Sequence, residues 1–293
     1  MKGIIILLAS LLLAYFANAQ VVSSDSAKSS PSGAAKGGGL SISPATMYFT
    51  APKGEVGKQV IQIVNQQSKS YTFNINATEW DLDSVGNSLH YEDSGHVANS
   101  CVPWVTFTPN TITVEPGKTG NILATIRVPD NEKAERESHW CAVNVTLAMD
   151  KVAPQKVSPT ASVSFTSLFN VVLHIFETPP TATDKDLKMI DFGFLKNFKP
   201  SDTSEAINAI RIVGENTGAV MLRPLYSAKL SSLTTGKTTT LERPNCMMFP
   251  GNKRVVYLKI PNEVPKGKYL LIASIDGGED VPLEVTQKEI EID

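Results

Sequence analysis

Residues 104–128 read WVTFTPNTITVEPGKTGNILATIRV, and this stretch decides the fold class of the chain. Apolar side chains take every second position on both sides of its central Pro-Gly turn: Ile112, Val114, Ile122, Ala124, Ile126 and Val128. A period of two sends alternate side chains to opposite faces of a strand, so one face is apolar and the other is polar. Proline and glycine together are a strong turn signal. The stretch therefore predicts two half-buried β-strands joined at Pro116 and Gly117.

The same alternation recurs along most of the remaining chain. It is clearest in residues 71–75, 141–147 and 163–175, stops at a Glu-Thr-Pro-Pro break at 177–180, and resumes from 207 to 285. Turn residues separate the runs at intervals of about 8–12 residues, which is typical of a β-sandwich. We therefore predict an all-β protein of two tandem immunoglobulin-like β-sandwich domains, at residues 40–180 and 186–293. A length of 293 residues suits two domains of ordinary size.

Residues 1–19 have the pattern of a cleaved secretory signal peptide. Lys2 supplies a positive charge, residues 4–16 are apolar, and the Ala-Asn-Ala tripeptide at 17–19 fits a cleavage site. An apolar stretch of that length is too short to cross about 30 Å of hydrocarbon as a helix. Residues 20–39 are rich in Ser, Ala, Gly and Lys and predict a flexible linker. We expect export to the periplasm or to the cell surface, without stable membrane insertion.

Composition and spacing argue against several classes of function. The formal net charge is −2 and no basic run occurs, which argues against nucleic-acid binding. No nucleophile has a neighbouring base, and metal-ligand spacing is absent among the histidines, so we expect no enzyme, cofactor or metal. The four histidines are His90, His96, His139 and His174. Residues 81–87 partly resemble a calcium loop, but Val85 stands where an oxygen ligand belongs, so a hairpin turn is preferred.

Three parts of the first domain resemble a known family. They are residues 40–50 (LSISPATMYFT) with 58–65 (KQVIQIVN), the stretch 104–127, and residues 135–145 (ERESHWCAVNV). In this order they resemble the N-terminal immunoglobulin-like domain of the PapD-like periplasmic pilus chaperones. The second domain resembles a wider group of bacterial immunoglobulin-like modules.

The resemblance implies a periplasmic chaperone-like protein that binds a partner protein of the bacterial envelope. The partner is expected to be a pilin-like subunit or a subunit of a surface complex, held by pairing with the edge of a β-strand. The alternative is a structural or interaction subunit of an envelope or surface complex, without chaperone turnover.

The chain departs from that family where the partner is held. Pilus chaperones hold a subunit's C-terminal carboxylate with an Arg of the first strand and a Lys of the last strand, but neither type occurs at 40–50 or 162–176. We therefore expect binding by backbone pairing along residues 163–175, a long strand expected at a sheet edge. The candidate side chains on its outward parity are Leu168, Asn170, Val172, His174 and Phe176.

Three cysteines are too few for a fold that is built on disulfides. An oxidising compartment permits a disulfide between Cys101 and Cys141, but the odd count, with Cys246 in the other domain, leaves the pairing open. The three tryptophans are expected to fill the core of the first sandwich: Trp80, Trp104 and Trp140.

Overall fold

The computed structural model describes residues 39–148, 155–158, 161–163 and 169–293. The expected signal peptide and all of the expected linker except Gly39 lie outside this part of the chain, and so does Leu168. Within the described residues, twelve strands precede the Glu-Thr-Pro-Pro break: β1 Leu40–Ser43, β2 Thr46–Phe49, β3 Val56–Asn65, β4 Tyr71–Leu82, β5 Ser88–Tyr91, β6 Val105–Thr108, β7 Thr111–Val114, β8 Thr119–Arg127, β9 His139–Leu147, β10 Gln155–Ser158, β11 Ala161–Val163 and β12 Asn170–Glu177. Seven follow it: β13 Leu187–Phe198, β14 Ile207–Asn216, β15 Leu225–Ser232, β16 Thr238–Arg243, β17 Lys253–Lys259, β18 Gly267–Asp276 and β19 Glu284–Ile292.

The first sandwich is made of two sheets with the strand orders β1-β3-β8-β6 and β2-β12-β9-β4-β5, and β7 pairs with β4. The inward parities of these strands form one apolar cluster, which includes Ile61, Phe73, Ile122, Val143 and Ile175. Among the described strands, β10 and β11 pair only with each other. One short helix, α1, spans Glu132–Arg136, and in the described chain no helix has the length and apolar character needed to cross a membrane.

The second sandwich has a sheet of order β13-β14-β17 and a sheet of order β16-β15-β18-β19. Its separate core lies between these sheets and includes Ile210, Tyr226, Leu230, Leu271 and Ile275. The prediction of an all-β protein with two tandem sandwiches is therefore confirmed.

The Pro-Gly turn does not join neighbouring strands of one sheet. It connects β7, which pairs with β4, to β8, which pairs with β3 and β6 in the opposite sheet. The fully buried Asn65 holds this crossover, because its backbone bonds to Gly117 and Lys118 while its Nδ2 donates to the carbonyl of Val114 at 2.9 Å. Alternation predicts the two strands, but which sheet each joins depends on Asn65, which comes much earlier in the chain.

The second sandwich repeats this arrangement at Asn216, the last residue of β14. Its backbone bonds to Gly251 and Asn252 of a second Pro-Gly turn, and its Nδ2 donates to the carbonyl of Val220 at 2.9 Å. Both asparagines are fully buried, so each satisfies backbone groups that would otherwise be orphaned inside the protein. The two sandwiches thus share one device for fixing the end of a central strand.

Strand β12 differs from the expected long edge strand. The structure has β11 and β12 as separate strands, and β12 lies between β9 and β2. Pro44 explains the presence of β2, because proline has no N–H to continue the ladder of β1 with β3. After Pro44 the chain crosses to the other sheet and pairs in parallel with the last four residues of β12. The expectation of an edge along the whole strand is therefore wrong.

An aromatic cluster joins the two sandwiches. Trp80, Trp140 and Phe176 of the first sandwich pack with Phe249 of the second, and Phe249 is fully buried. The rings of Trp140 and Phe249 are stacked with their centroids 4.0 Å apart. Trp80 and Trp140 are buried as expected, but at this joint and not in the core of the first sandwich.

Residues 81–87 form a hairpin turn, as their sequence favoured. The Asp83 carboxylate accepts backbone hydrogen bonds from Val85, Gly86 and Asn87 at 3.0, 2.7 and 2.8 Å, which hold the turn closed. The hairpin also contacts the second sandwich, since the N–H of Val255 donates to the carbonyl of Ser84 at 2.7 Å.

Candidate partner-binding strand

Neighbouring strands border β12 over different lengths on its two sides. On one side β9 pairs with β12 from Asn170 to Glu177, and on the other side β2 pairs with it only from His174 to Glu177. No strand in the described part of the chain borders the second side of residues 170–173. The first half of β12 is thus an open edge, which is a template for another strand.

The backbone groups at this open edge can be identified from the hydrogen bonds around it. His174 donates its N–H to the carbonyl of Ala45 at 3.0 Å, on the β2 side, whereas the carbonyl of Phe169 accepts from β9. Because backbone groups point alternately to the two sides of a strand, those of Asn170 and Val172 face the β2 side. They lie beyond the point where β2 begins, so with respect to the described residues the edge offers two N–H donors and two C=O acceptors.

The candidate side chains are placed differently along β12. Asn170 is exposed, Val172 and His174 are half-buried, and Phe176 is only 4% exposed. Leu168 lies outside the described residues. Parity correctly directs Phe176 away from the sandwich core, but the aromatic rings of the joint cover it, including Phe249 at 6.2 Å. Phe176 therefore belongs to the joint, and in this structure it is too buried to fill a partner's pocket as expected.

A polar network runs across the sheet beside the open edge. Asn170 donates to the side-chain oxygen of Asn144 at 2.9 Å and accepts from Thr146 at 3.0 Å, and Asn144 donates to Thr78 at 2.8 Å. These bonds hold Asn170 in one orientation. The network forms part of the floor of a groove of about 560 Å³ lined by Asn76, Thr78, His90, Tyr91, Glu92, Asn144, Thr146, Asn170 and Val172.

Tyr48 and Arg223 also belong to this region, although sequence reasoning missed both. Tyr48 lies on β2, is 54% exposed and stacks on Phe176 with ring centroids 5.4 Å apart. Arg223 of the second sandwich donates to the Tyr48 hydroxyl at 2.8 Å, with its guanidinium 5.7 Å from the centre of the Phe176 ring. The outward parity of Tyr48 on its strand could have predicted that its side chain is exposed near this edge. No local sequence pattern predicts that Arg223 lies beside it.

His174 is held uncharged between the open edge and the joint. Its ring lies 4.1 Å from that of Trp80, and its buried Nε2 has no hydrogen-bond partner among the described residues. Burial lowers the pKa of His174, with a smaller contribution from His90. The ring therefore acts as a packing surface at neutral pH.

Two titratable side chains are buried beneath the covered end of β12. Glu177 is fully buried, and its carboxyl oxygens have no hydrogen-bond partner in the described structure. Its Oε2 lies 3.9 Å from Nδ1 of His139, which donates instead to the carbonyl of Glu137 at 3.0 Å. Burial raises the pKa of Glu177 to about 8 and lowers that of His139 to about 4. At neutral pH the pair is consequently a carboxylic acid beside a neutral imidazole.

The remaining titratable and cysteine side chains of the described residues form no candidate metal site. Within the described ranges, no group of three or more His, Cys, Asp or Glu side chains could hold a metal ion. Cys101 and Cys141 are both fully buried in the core of the first sandwich and are not bonded to each other. Cys246 belongs to the core of the second sandwich.

No protein-family model matches the chain, and no curated protein matches its sequence. Solved structures of fimbrial chaperones do resemble it. A chain of the chaperone–tip adhesin complex of CFA/I fimbriae has 9% identity and a TM-score of 0.46, with 85% of this chain and 98% of that chain covered. A chain of the CsuC–CsuE chaperone–tip adhesion subunit complex of Acinetobacter baumannii has 12% identity and a TM-score of 0.43, with coverages of 87% and 98%.

The CupB2 chaperone of Pseudomonas aeruginosa is similar over 86% of this chain and 100% of its own, at 10% identity and a TM-score of 0.38. The function is therefore argued from the residues of this chain.

Proposed function

We propose that this protein is a chaperone-like protein of the bacterial envelope, acting in the periplasm or at the cell surface. It binds a protein partner, a pilin-like subunit or a subunit of a surface complex, by adding a strand of the partner to β12. The observation that supports this most strongly is the half-covered β12, where Asn170 and Val172 direct two N–H and two C=O groups to an open side.

The partner strand would lie in line with β2 and continue the sheet past Ala45. An added strand of this kind gains affinity from main-chain hydrogen bonds and specificity from alternate side chains. Val172 and the fixed amide of Asn170 are the neighbouring side chains on the groove side. Arg223 is already bonded to Tyr48, so we propose that backbone pairing, and not a terminal carboxylate, holds the partner.

Val172→Pro tests this proposal with little disturbance to the fold. Proline removes the N–H that faces the open side and puts its ring where a partner strand would approach, while the groups that pair with β9 remain. Proline is tolerated where the N–H of an edge strand faces solvent. Val172→Thr is the matched control, because threonine keeps both the N–H and the β-branched shape.

The measurement is a pull-down of partners from the native envelope by the mature protein, with identification by mass spectrometry. The threonine variant should capture the same proteins as the unmodified protein, and the proline variant should lose them at unchanged circular dichroism. Extending the captured partner by a few residues at its C-terminus should leave binding intact. Normal capture by a folded proline variant would refute edge pairing, and co-purification with a finished complex would favour a structural subunit.

A further inference from the structure

Cys101 and Cys141 lie side by side in the core of the first sandwich. Ser100 forms a parallel bridge with Trp140, in which Trp140 donates its N–H to Asn99 and accepts from the N–H of Cys101, both at 3.1 Å. Cys101 and Cys141 are the next residues along the two bridged segments. Neighbouring strands lie about 4.8 Å apart, and disulfides join residues with Cα atoms about 4.4–6.8 Å apart. The spacing of the two backbones therefore suits a disulfide.

The environment of the two thiols also favours pairing. Both side chains are 0% exposed and belong to the same apolar cluster, so they point into the same interior. Burial, followed by the adjacent Cys141 thiol, raises the pKa of Cys101 well above its usual range. Glu177, the other titratable group that acts on Cys101, is itself a buried carboxyl.

We infer that Cys101 and Cys141 form a disulfide that links the two sheets of the first sandwich. Cys141 lies on β9, directly opposite Ile175 of β12, whereas Cys101 precedes the 3-10 turn Val102–Trp104 that leads into β6 of the other sheet. The bridge therefore secures the sheet that carries the open edge to the sheet behind it. It also closes a long loop, which restricts the unfolded chain.

The bridge forms by exchange with a small-molecule or protein disulfide. The Cys101 thiolate attacks one sulfur of that disulfide and releases one thiol, and the Cys141 thiolate then attacks the Cys101 sulfur of the mixed disulfide and releases the second. The two cysteines are oxidised, the incoming disulfide is reduced to two thiols, and these take up the two protons. Because burial disfavours the thiolate, we expect the exchange to be faster during folding than in the folded, reduced protein.

The test counts free thiols after folding in a glutathione buffer that contains glutathione disulfide. The full chain is denatured without reductant and alkylated, and its mass is then measured. One alkyl group is expected, at Cys246, and all three cysteines should react after reduction. Cys246→Ala should take up no label before reduction and two labels after it. Cys101→Ala should take up two labels in both conditions.

A second measurement is the urea midpoint of the first sandwich, which should fall on reduction in the unmodified protein and in Cys246→Ala. Three labels on the unreduced protein, or two labels on unreduced Cys246→Ala, would overturn the inference. The labels are counted in denaturant, and both the unmodified protein and Cys246→Ala contain the two proposed partners. The test therefore remains decisive even if one variant fails to fold. The outcome is independent of whether Val172→Pro abolishes partner capture.

Discussion

Glu177→Gln should change how the stability of the first sandwich depends on pH. Glu177 is fully buried, and burial raises its pKa from the usual 4.5 to about 8. Between these values the folded state binds more protons than the unfolded state, so the free energy of unfolding falls as the pH rises. Glutamine has nearly the shape of the protonated side chain and cannot ionise, so the variant should lose this dependence.

The neighbouring His139 has the opposite effect over a different range. Burial lowers its pKa from 6.5 to about 4, so its contribution to the free energy of unfolding rises between pH 4 and 6.5. Each effect amounts to about 1.4 kcal/mol per pH unit. In the unmodified protein the two effects nearly cancel from pH 4.5 to 6.5. Above pH 6.5 only the Glu177 effect remains, and the free energy of unfolding falls by about 2 kcal/mol by pH 8. The free energy of unfolding of Glu177→Gln should therefore stay constant from pH 6.5 to pH 8. Between pH 4 and 6.5 it should rise by about 3 kcal/mol, because the His139 effect is no longer opposed.

Tryptophan fluorescence during urea unfolding follows the first sandwich together with the joint, because all three tryptophans lie before residue 180 and two of them pack with Phe249. The unfolding free energy is to be followed from pH 4 to pH 8. Glu92→Gln is the matched control, since Glu92 is exposed in the groove, and its profile should follow that of the unmodified protein. Parallel profiles for Glu177→Gln and the unmodified protein would refute the reasoning and show that the Glu177 carboxyl is ionised when folded.

Two further predictions concern the joint and the crossover. Phe249→Ala should cost about 3–5 kcal/mol, because it removes a fully buried ring. It should split one calorimetric transition into two; two transitions in the unmodified protein would show that the sandwiches are not coupled. Asn65→Ala should cost about 2 kcal/mol, because it leaves the buried carbonyl of Val114 without a donor. Urea unfolding measures this cost, and Asn121→Ala, at an exposed position of β8, is the control; equal midpoints for the two variants would contradict the role of Asn65.

The pattern of side chains along each strand could be predicted from sequence because it is a local property. Ile112 and Ile122 are correctly assigned to strands, and the parity of β12 correctly separates Leu173 and Ile175, which are buried in the core, from Asn170 and Val172. The same reasoning identified the turn at Asp83, where a short polar side chain can satisfy the backbone that follows it.

The neighbours of each strand could not be predicted from the local sequence, because they come from distant parts of the chain. Strand β2, which ends with Phe49 opposite Glu177, pairs with half of β12, although no local pattern connects the two segments. Phe176 has outward parity and is nevertheless buried, since Phe249 closes over it from the other sandwich. Arg223 reaches Tyr48 across 175 residues of sequence.

The sequence by itself determined that this protein consists of strands, where the Pro-Gly turns fall, and which face of each strand is apolar. Period-two alternation is sufficient for this because each side chain's face depends only on its position along its own strand. Only the tertiary structure decided that no strand of the described chain borders one side of residues 170–173, and that Cys101 lies beside Cys141. Both facts depend on which segments become neighbours after the chain folds back on itself, and packing between distant segments controls that choice.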